Sequence, residues 1–205
     1  EGYGIPAKIT RLVFVESLFK ERAVSSVGAA GLWQFMPSTG KKYLTINHLI
    51  DERYDPVLAT HAAARLLRKN YELLGTWPLA INAYNSGAGH LLRAIDQLRT
   101  TDIGTIVWKY RHPGYAFASR NFYPEFLAAL EVSENERKYF GRVPKDPMLE
   151  FDVVEIPVTL SLPEVAQLSG VPIEELKGLH PAFAGSVFEG KYALPAGTEI
   201  RLPKG

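Results

Sequence analysis

The sequence contains no cysteine, which excludes disulfide bonds, thiolate metal sites and a cysteine nucleophile. It also has no apolar run that approaches the roughly 18 residues needed to cross a bilayer. With only two methionines, a Met-rich docking groove is not indicated. We therefore expect a chain without a membrane-spanning segment and without thiol chemistry.

Recognisable metal and phosphate motifs are also missing. "GAGHLL" (87–92) lacks the lysine and the preceding strand of a phosphate-binding loop, and "YNSGAG" (84–89) lacks the first glycine of a nucleophile elbow. Neither HxxxH nor HExxH occurs, so we expect no metal and no cofactor. We interpret each histidine as a surface or capping residue: His48, His61, His90, His112 and His180.

Charge is distributed unevenly along the 205 residues, although the net charge is only +1. Residues 1–142 carry 18 Lys+Arg and 13 Asp+Glu, a balance of +5, whereas residues 143–205 carry 5 and 9, a balance of −4. The mildly basic first segment either suits a polyanionic substrate or is a solvated surface of mixed charge. Because the basic residues do not form a stripe interleaved with aromatics, we expect no nucleic-acid partner.

The first two-thirds of the chain has the periodicity of helices. Residues 5–21 place apolar side chains at helical spacing and predict a helix that is buried on most sides. Residues 55–75 begin with Asp and Pro and end with Gly, and residues 76–87 repeat this pattern with Thr76 as the cap. Further helices are predicted over 89–98 and 121–141, with Pro124 in the first turn of the last one.

The character of the sequence changes after residue 142. "GRVPKDPMLE" (141–150) contains a glycine and two prolines, as linkers do. "FDVVEIPVTL" and "TEIRLP" predict short strands, and two short helices are predicted to begin at Ser161 and near Pro172. We therefore expect a mainly α protein (α+β overall) with a helical domain at 1–142, a linker at 143–150 and a small β-α-α-β module at 151–205.

Glu16 is a carboxylic acid on the apolar face of the first predicted helix. The row Ile5, Ile9 and Leu12 continues through Glu16 to Phe19, which places Glu16 inward. Burial in apolar surroundings raises the pKa of a carboxyl group, and a general acid in glycoside cleavage needs such a pKa near neutral pH. The alternative is a glutamate at the edge of the apolar face, capped or paired with an arginine.

Two later motifs bear on this choice. "SSVGAAGLWQFMPST" (25–39) and "AYNSG" (83–87) follow Glu16-Ser17 in the chain. In order and spacing, these elements resemble the lytic transglycosylase signature, E-S, S-x-x-G-A-x-G-L-x-Q-x-M-P-x-T and A-Y-N-x-G, with Ser25 or Ser26 as its first serine. The resemblance covers residues 5 to about 140 and implies a lysozyme-like helical domain. Within the family, the chain is similar to the membrane-bound murein transglycosylase D group, because a LysM-like segment follows.

The resemblance also implies the site residues. Glu16 would be the single catalytic residue, acting first as an acid and then as a base. The substrate-binding residues are those that match the family's active-site serine, its saccharide-contacting Gln and Met, and the Tyr-Asn pair near the catalytic Glu: Ser25, Gln34, Met36, Tyr84 and Asn85. Trp33 and Phe35 either face sugar rings or pack in the interior, and Tyr84 has the alternative of a half-buried core tyrosine.

The reaction implied is non-hydrolytic cleavage of the β-1,4 bond between N-acetylmuramic acid and N-acetylglucosamine in peptidoglycan, with 1,6-anhydromuramyl products. No convincing second carboxylate appears, since Glu21 is about a turn away and Asp51 and Asp55 lie in or beside a loop. Two alternatives stay open: a lysozyme-type peptidoglycan hydrolase and a non-catalytic peptidoglycan-binding protein.

The chain departs from the family patterns in two places. Before the last helix, where the family carries E-T-x-x-Y, residues 118–122 read ASRNF, and Tyr123 is adjacent. In residues 151–205, which resemble a LysM module, "PVTLSL" replaces the usual G-D-T-L opening and His180 replaces the Asn of Asn-Pro. The LysM-like module therefore either binds glycan or packs against the catalytic domain.

The implied partners are peptidoglycan glycan strands, bound by a monomer in the periplasm or cell envelope of a bacterium. The chain opens at "EGYGIPAK" with neither an initiator Met nor a signal sequence. We interpret it as processed or truncated, so that any export signal or lipid anchor to the outer membrane would lie outside it.

Overall fold

A computed structural model describes residues 2–204, which form a mainly α-helical protein with short antiparallel strands towards its C-terminal end. The chain folds into two compact units. The first comprises the described residues of Glu1–Lys20 and Thr60–Val143, and the second comprises those of Glu21–Ala59 and Pro144–Gly205. The expected fold class, mainly α with a small mixed segment, is confirmed.

The helices and strands have the following bounds. The α-helices are α1 Leu12–Ser17, α2 Pro37–Gly40, α3 Pro56–Leu74, α4 Trp77–Ser86, α5 Ala88–Leu98, α6 Ile103–Lys109, α7 Phe117–Glu134, α8 Glu136–Phe140, α9 Leu162–Ser169, α10 Ile173–Leu179 and α11 Gly185–Phe188. Short 3-10 helices lie at Ala7–Arg11 and Glu52–Tyr54. The strands are β1 Phe151–Glu155, β2 Leu160–Ser161, β3 Ala193–Leu194 and β4 Glu199–Pro203. Among residues 2–204, none of the helices combines the length and apolar character that crossing a membrane requires.

In the first unit, α4 packs against α5 and α7, and α1 packs against α7. The apolar faces of α4, α5 and α6, with the end of α3, meet in a core that removes large side chains from water, and this removal is the main force that holds such helices together. The core residues are Leu74, Leu79, Ala83, Leu91, Ala94, Ile106, Tyr110 and Tyr115. This packing fixes α4, whose last turn carries two of the predicted site residues.

The predicted helices over 55–75 and 76–87 are confirmed as α3 and α4, but their caps differ. The Asp55 carboxylate accepts hydrogen bonds from the backbone N–H groups of Val57 and Leu58, as an N-cap does. Thr76 occupies the N-cap position of α4, yet its side chain makes no capping hydrogen bond. The sequence pattern therefore predicted where both helices start, but of the two predicted N-caps only Asp55 forms capping hydrogen bonds.

The predicted helix over 5–21 is wrong in length and in burial. A 3-10 turn leads into α1, which ends at Ser17 because Leu18 and Phe19 adopt left-handed backbone conformations with φ of 52° and 60°. Leu18 is 70% exposed and Phe19 is 50% exposed. Phe14 is also exposed, and its ring contacts that of Phe19 edge-on at 4.6 Å between ring centroids. An apolar row alone did not indicate where the backbone would leave the helix.

The last predicted helix of the first unit starts earlier than expected. α7 begins at Phe117 rather than at 121, so Pro124 lies inside the helix and not in its first turn. Proline has no N–H to donate to the carbonyl four residues earlier, which removes one hydrogen bond from the helix. The packing of α7 against α1, α4 and α6 offsets that loss.

In the second unit, β1 pairs antiparallel with β4, from Phe151 opposite Pro203 to Glu155 opposite Glu199. The helices predicted near Ser161 and Pro172 are confirmed as α9 and α10, and Ser161 forms a reciprocal capping box with Glu164. The core of this unit contains Ile156, Leu162, Val165, Leu176, Val187, Phe188, Leu194 and Ile200. His180, interpreted as a surface or capping residue, occupies the C-cap position of α10, but it is only 6% exposed and so does not lie on the surface.

Candidate active site

Glu16 is the fifth of the six residues of α1, and its side chain is half-buried. Burial raises the pKa of its carboxyl group from 4.5 to about 8, because removal from water disfavours the anion. The expectation of a raised pKa is confirmed. A carboxyl group with this pKa is mostly protonated at neutral pH, so it is able to donate a proton to a leaving oxygen.

Tyr84 and Asn85 lie in the last turn of α4, in the same unit as Glu16. Burial raises the pKa of the Tyr84 hydroxyl well above its ordinary value, and the negative charge of the Glu16 carboxylate raises it further. This electrostatic interaction places Tyr84 and Glu16 in one neighbourhood. The Asn85 side chain is exposed, and its Oδ1 accepts a hydrogen bond of 3.1 Å from the hydroxyl of Ser119.

A buried polar network sets the orientation of α4 relative to α7. Asn82, which is fully buried, donates from Nδ2 to the backbone oxygen of Ser119 at 2.8 Å. Its Oδ1 accepts from the hydroxyl of Tyr115 at 2.7 Å. Since buried polar groups are costly to leave unpaired, these bonds define a single position for the turn that carries Tyr84 and Asn85.

The second unit contains Ser25, Gln34 and Met36 in one loop, residues 23–36, which we call the signature loop. Ser25 accepts at Oγ from the backbone N–H of Ala29 at 3.0 Å. Gln34 has a φ of 47°, and its Nε2 donates to the backbone oxygens of Ala23 at 3.2 Å and Gly31 at 2.8 Å. Non-glycine residues rarely adopt such a φ, and strain of this kind concentrates at functional sites.

The apolar residues of the signature loop divide into two groups. Trp33 and Phe35 are 3% and 2% exposed, so they pack in the interior, as one of the two interpretations of the sequence had it. Met36 is 38% exposed and offers apolar surface to the outside. Of these three side chains, Met36 has the exposure that contact with a sugar ring requires.

Arg53 is a residue of this region that the sequence did not single out. Its Nη1 donates to the backbone oxygens of Gly28 at 2.9 Å and Phe35 at 3.1 Å, which lie near the two ends of the Gly-rich stretch. The backbone oxygen of Arg53 lies so close to Gly31 that a Cβ added at Gly31 would be 1.7 Å from that oxygen. The segment "DERYDP" is mostly charged, as solvated surface segments are, so the sequence did not indicate that Arg53 is buried.

The carboxylates considered as a second catalytic group beside Glu16 either pair with arginines or are exposed. Asp51 accepts from Nε and Nη2 of Arg53 at 2.9 and 2.7 Å. Asp55 pairs with Arg201 at 2.6 Å and caps α3. Glu21 is exposed. Over residues 2–204, no three His, Asp or Glu side chains cluster closely enough to hold a metal ion.

The stretch that departs from the family pattern lies beside Asn85. Phe122 is buried, whereas Tyr123 is half-buried and burial raises the pKa of its hydroxyl. Ser119, which adjoins Ala118, bonds Asn85 and carries the backbone oxygen that Asn82 contacts. Ser119 stands at the Thr of the family's E-T-x-x-Y, and it was not singled out from the sequence, because only the Glu and the Tyr of that pattern were considered.

Comparisons with known proteins agree with the motifs. The family profile described as "Transglycosylase SLT domain" matches residues 3–107. Membrane-bound lytic murein transglycosylase D of Escherichia coli strain K12 is 30% identical over 185 residues, which are 89% of this chain and 40% of that protein. The protein of the same description in E. coli O6:H1 strain CFT073 gives the same values. The chain thus spans 40% of the length of these curated relatives.

A solved structure shares the fold. The 70 kDa soluble lytic transglycosylase from Escherichia coli superposes with a TM-score of 0.52 at 23% identity, over 68% of this chain and 23% of that one. The resemblance drawn from the sequence motifs is confirmed by these matches. Because the family profile covers more than half of the sequence, the chain belongs to the Transglycosylase SLT domain family.

Proposed function

We propose that this protein cleaves the β-1,4 bond between N-acetylmuramic acid and N-acetylglucosamine in peptidoglycan without consuming water. The observation that carries the proposal is Glu16, a half-buried carboxylic acid whose pKa is raised to about 8 by burial. Glycoside cleavage needs an acid that is protonated near neutral pH. Membership of the Transglycosylase SLT domain family supports the same chemistry.

In the first step, Glu16 donates its proton to the glycosidic oxygen as the bond to C1 of N-acetylmuramic acid breaks. The N-acetyl group of the same sugar assists this departure by bonding to C1 through its carbonyl oxygen. In the second step, the C6 hydroxyl of that sugar attacks C1 and the N-acetyl oxygen leaves. The Glu16 carboxylate accepts the hydroxyl proton, so the residue returns to its starting state and a 1,6-anhydro ring is formed.

A single carboxylate is sufficient for this route, because the substrate supplies both the internal nucleophile and the attacking hydroxyl. Hydrolases of the common kinds use two carboxylates. The hydrogen bonds and ion pairs that occupy Asp51 and Asp55 support the single-acid route over a two-carboxylate one. An intramolecular attack also benefits from proximity, which contributes several kcal/mol, on the order of 7–11 in well-oriented cases.

The remaining site residues bind and orient the glycan in this proposal. Gln34 would accept from the N–H of an N-acetyl group through its amide oxygen, because its Nε2 donates within the loop. Asn85 would donate from Nδ2 to the N-acetyl carbonyl, because its Oδ1 accepts from Ser119. Ser25 supplies a hydroxyl, and Met36 supplies exposed apolar surface for a sugar face. Tyr84 has a neutral hydroxyl, since the pKa of that group is raised by burial and by the charge of Glu16.

The proposal extends to the setting of the reaction. Peptidoglycan strands as substrate place the protein in the envelope of a bacterium, and we propose the periplasm, with a monomer acting on the glycan. The E. coli relatives are described as membrane-bound, which supports attachment to a membrane, and we propose the outer membrane. Residues 1–142 would form the catalytic domain, 143–150 the linker and 151–205 the LysM-like module.

The test is digestion of intact murein sacculi by the wild-type protein and by Glu16→Gln, with products identified by mass spectrometry. We expect 1,6-anhydromuramyl ends from the wild type and none above background from Glu16→Gln. Glu72→Gln is the matched control, because Glu72 is an exposed glutamate that pairs with Arg68 on α3. It should digest sacculi as the wild type does.

The other outcomes each exclude part of the proposal. Reducing N-acetylmuramic acid ends would identify a hydrolase of lysozyme type. Binding to sacculi without release of any product would identify a non-catalytic peptidoglycan-binding protein. Digestion by Glu16→Gln at the wild-type rate would show that another residue supplies the proton.

A further inference from the structure

The signature loop depends on Arg53 for its shape. The Arg53 guanidinium is buried and holds the backbone oxygens of Gly28 and Phe35 through one nitrogen, at 2.9 and 3.1 Å. These two bonds connect the start and the end of the turn that contains Gly31 and leads to Gln34. Removal of the guanidinium would take a buried donor from the Gly28 oxygen, which is costly, and would leave the Phe35 oxygen with the backbone N–H of Ala30 at 3.2 Å.

Asp51 fixes the direction of the Arg53 side chain. Its two carboxylate oxygens accept from Nε and Nη2 of Arg53 in a bidentate arrangement, at 2.9 and 2.7 Å. The hydrogen bond to Asp51 is the main reason that the pKa of Arg53 is raised. Bidentate pairs of this kind set geometry as well as charge, so the position of Asp51 determines where Arg53 points.

Asp51 is in turn held by the C-terminal segment of the chain. Its backbone N–H donates to the oxygen of Ala182 at 2.8 Å, and the N–H of Ala184 donates to the oxygen of Leu49 at 2.8 Å. Ile50 and Phe183 form the antiparallel bridge between these two bonds. A single antiparallel bridge therefore joins the loop before Arg53 to the stretch that follows α10.

A buried ion pair makes a second connection four residues after Asp51. Nη1 and Nη2 of Arg201, in β4, donate to the two carboxylate oxygens of Asp55 at 2.6 and 3.1 Å. The two side chains are only 13% and 4% exposed. Arg201 also donates to the oxygen of Leu179, and its backbone N–H donates to Nε2 of His180 at 3.0 Å. A buried pair of this kind specifies position more reliably than it adds stability.

Apolar contact completes the connection. Leu49 packs against the core of the second unit, which is built almost wholly from residues after 155. The segment 49–55 thus has a β-bridge, an ion pair and an apolar anchor to the C-terminal segment. Arg53 lies in the middle of this segment and reaches the signature loop from there.

We propose that residues 151–205 hold the signature loop in its substrate-binding shape, with Arg53 as the positioning residue that transmits the support. The inference rests on the proposed function, because it takes Ser25, Gln34 and Met36 of this loop to contact the glycan. In this role the C-terminal segment affects kcat, because it determines the shape of the signature loop. A module that only captured glycan would affect binding to the cell wall instead.

The experiment separates turnover from attachment in the full chain. Arg201→Ala, Arg201→Lys and the wild type are compared on a soluble muropeptide tetrasaccharide for kcat and KM, and on intact sacculi for binding. Lys191→Ala is the matched control, because Lys191 is an exposed cation of the same segment that pairs with Glu189. We expect Arg201→Ala to lower kcat on the soluble substrate by roughly ten- to a hundredfold, as small misplacements of site groups do.

The conservative variant and the binding measurement sharpen the result. Arg201→Lys keeps the charge that faces Asp55 and should recover part of kcat, whereas sacculus binding by Arg201→Ala should change little. Loss of sacculus binding with an unchanged kcat on the tetrasaccharide would overturn the proposal in favour of a glycan-capturing module. Lys191→Ala should match the wild type in both measurements.

Hydrogen exchange provides a readout that does not depend on activity. In Arg201→Ala, amides of residues 28–35 should exchange faster while the core amides of α9 and α10 keep their protection. If Arg201→Ala does not fold, Asp55→Asn replaces it, because asparagine still caps α3 but lacks the carboxylate that pairs with Arg201. Unchanged exchange in the loop with unchanged kcat would overturn the proposal.

The proposed function and this inference fail in different ways. If the wild type releases no anhydromuramyl product from sacculi, the proposed function fails, whatever the exchange data show. If the wild type is active but the signature loop is indifferent to the loss of the pair between Asp55 and Arg201, the function stands and the support by the C-terminal segment is wrong.

Discussion

The carboxylate of Glu16 raises the pKa of the Tyr84 hydroxyl, so the two groups interact electrostatically although 68 positions separate them in sequence (84 − 16). Each also resists ionisation because of burial. Both groups are therefore protonated near neutral pH, and a proton of this site can be transferred to a substrate. Glu16 is the group that releases it, since the pKa of Tyr84 lies well above its ordinary value of 10.0.

The stability of the protein should therefore decrease as pH rises, and Glu16→Gln should remove that dependence. The folded-state pKa of about 8 lies above the ordinary value of 4.5. Below pH 4.5 both states hold the proton and Glu16 causes no loss. Between 4.5 and 8 the unfolded chain releases its proton while the native state retains it, so native stability falls at a slope approaching about 1.4 kcal/mol per pH unit.

Urea unfolding of the wild type and of Glu16→Gln at a series of pH values measures this effect. The variant should become progressively more stable than the wild type between pH 4.5 and 8, and the difference should level off above 8. Parallel stability curves from pH 4 to 9 would contradict the raised pKa of Glu16. Loss of stability in the variant at every pH would show that the carboxylic acid makes contacts that the amide cannot replace.

Activity should fall as pH rises through about 8, because Glu16 must be protonated to act as the acid. The measurement is kcat/KM on a soluble muropeptide fragment between pH 5 and 10, with circular dichroism at each pH to verify the fold. Tyr84 does not contribute to a limb near 8, since burial raises its pKa well above 10. A limb near 4.5 would indicate an ordinary carboxyl group and a different proton donor.

The sequence predicted the parts of the fold that local chemistry decides. The start of α3 follows from Asp55 and Pro56, and the start of α9 follows from Ser161 with Glu164 three residues later. Both helix starts depend on residues within a few positions of one another, so a single sequence contains the information. The raised pKa of Glu16 was also predicted, but its cause is burial in the folded chain.

Features that depend on distant residues were not predicted. The ion pair of Asp55 with Arg201 joins positions 146 apart, and no local pattern links an aspartate before a helix to an arginine in the last strand. The burial of His180 and of Arg53 follows from that same long-range packing. The end of α1 was missed for another reason, since Leu18 and Phe19 adopt a left-handed backbone that favours glycine.

Gly31 should be the least replaceable glycine of the signature loop. Its φ of 78° already strains any L side chain, and a Cβ there would lie 1.7 Å from the backbone oxygen of Arg53. Gly28 is the matched control, because it has a similar φ of 85° and nothing within 4 Å of an added Cβ. Gly28→Ala should cost about 1–2 kcal/mol, from the backbone alone.

Gly31→Ala should cost about 2–5 kcal/mol, because the overlap with Arg53 adds to the backbone strain. Urea unfolding gives both values, and kcat on a soluble muropeptide reports the effect on the loop. The larger loss for Gly31→Ala should be accompanied by a larger loss in kcat. Equal unfolding free energies for the two variants would show that the loop adjusts around Arg53 without cost.

Thr76 should be a position where removal of a hydroxyl stabilises the protein. Its Oγ1 is buried and has no hydrogen-bond partner within residues 2–204, although Thr76 sits at the N-cap of α4. Thr76→Val replaces the hydroxyl with a methyl group of similar size and removes an unsatisfied polar atom, so stability should rise by about 1 kcal/mol. Asp102→Ala is the contrast, because Asp102 does cap α6: its carboxylate accepts a 2.7 Å hydrogen bond from the backbone N–H of Thr105. Asp102→Ala should lower the free energy of unfolding by about 1 kcal/mol in the same urea titration. If Thr76→Val lowers it by a similar amount, the Thr76 hydroxyl forms a hydrogen bond in solution.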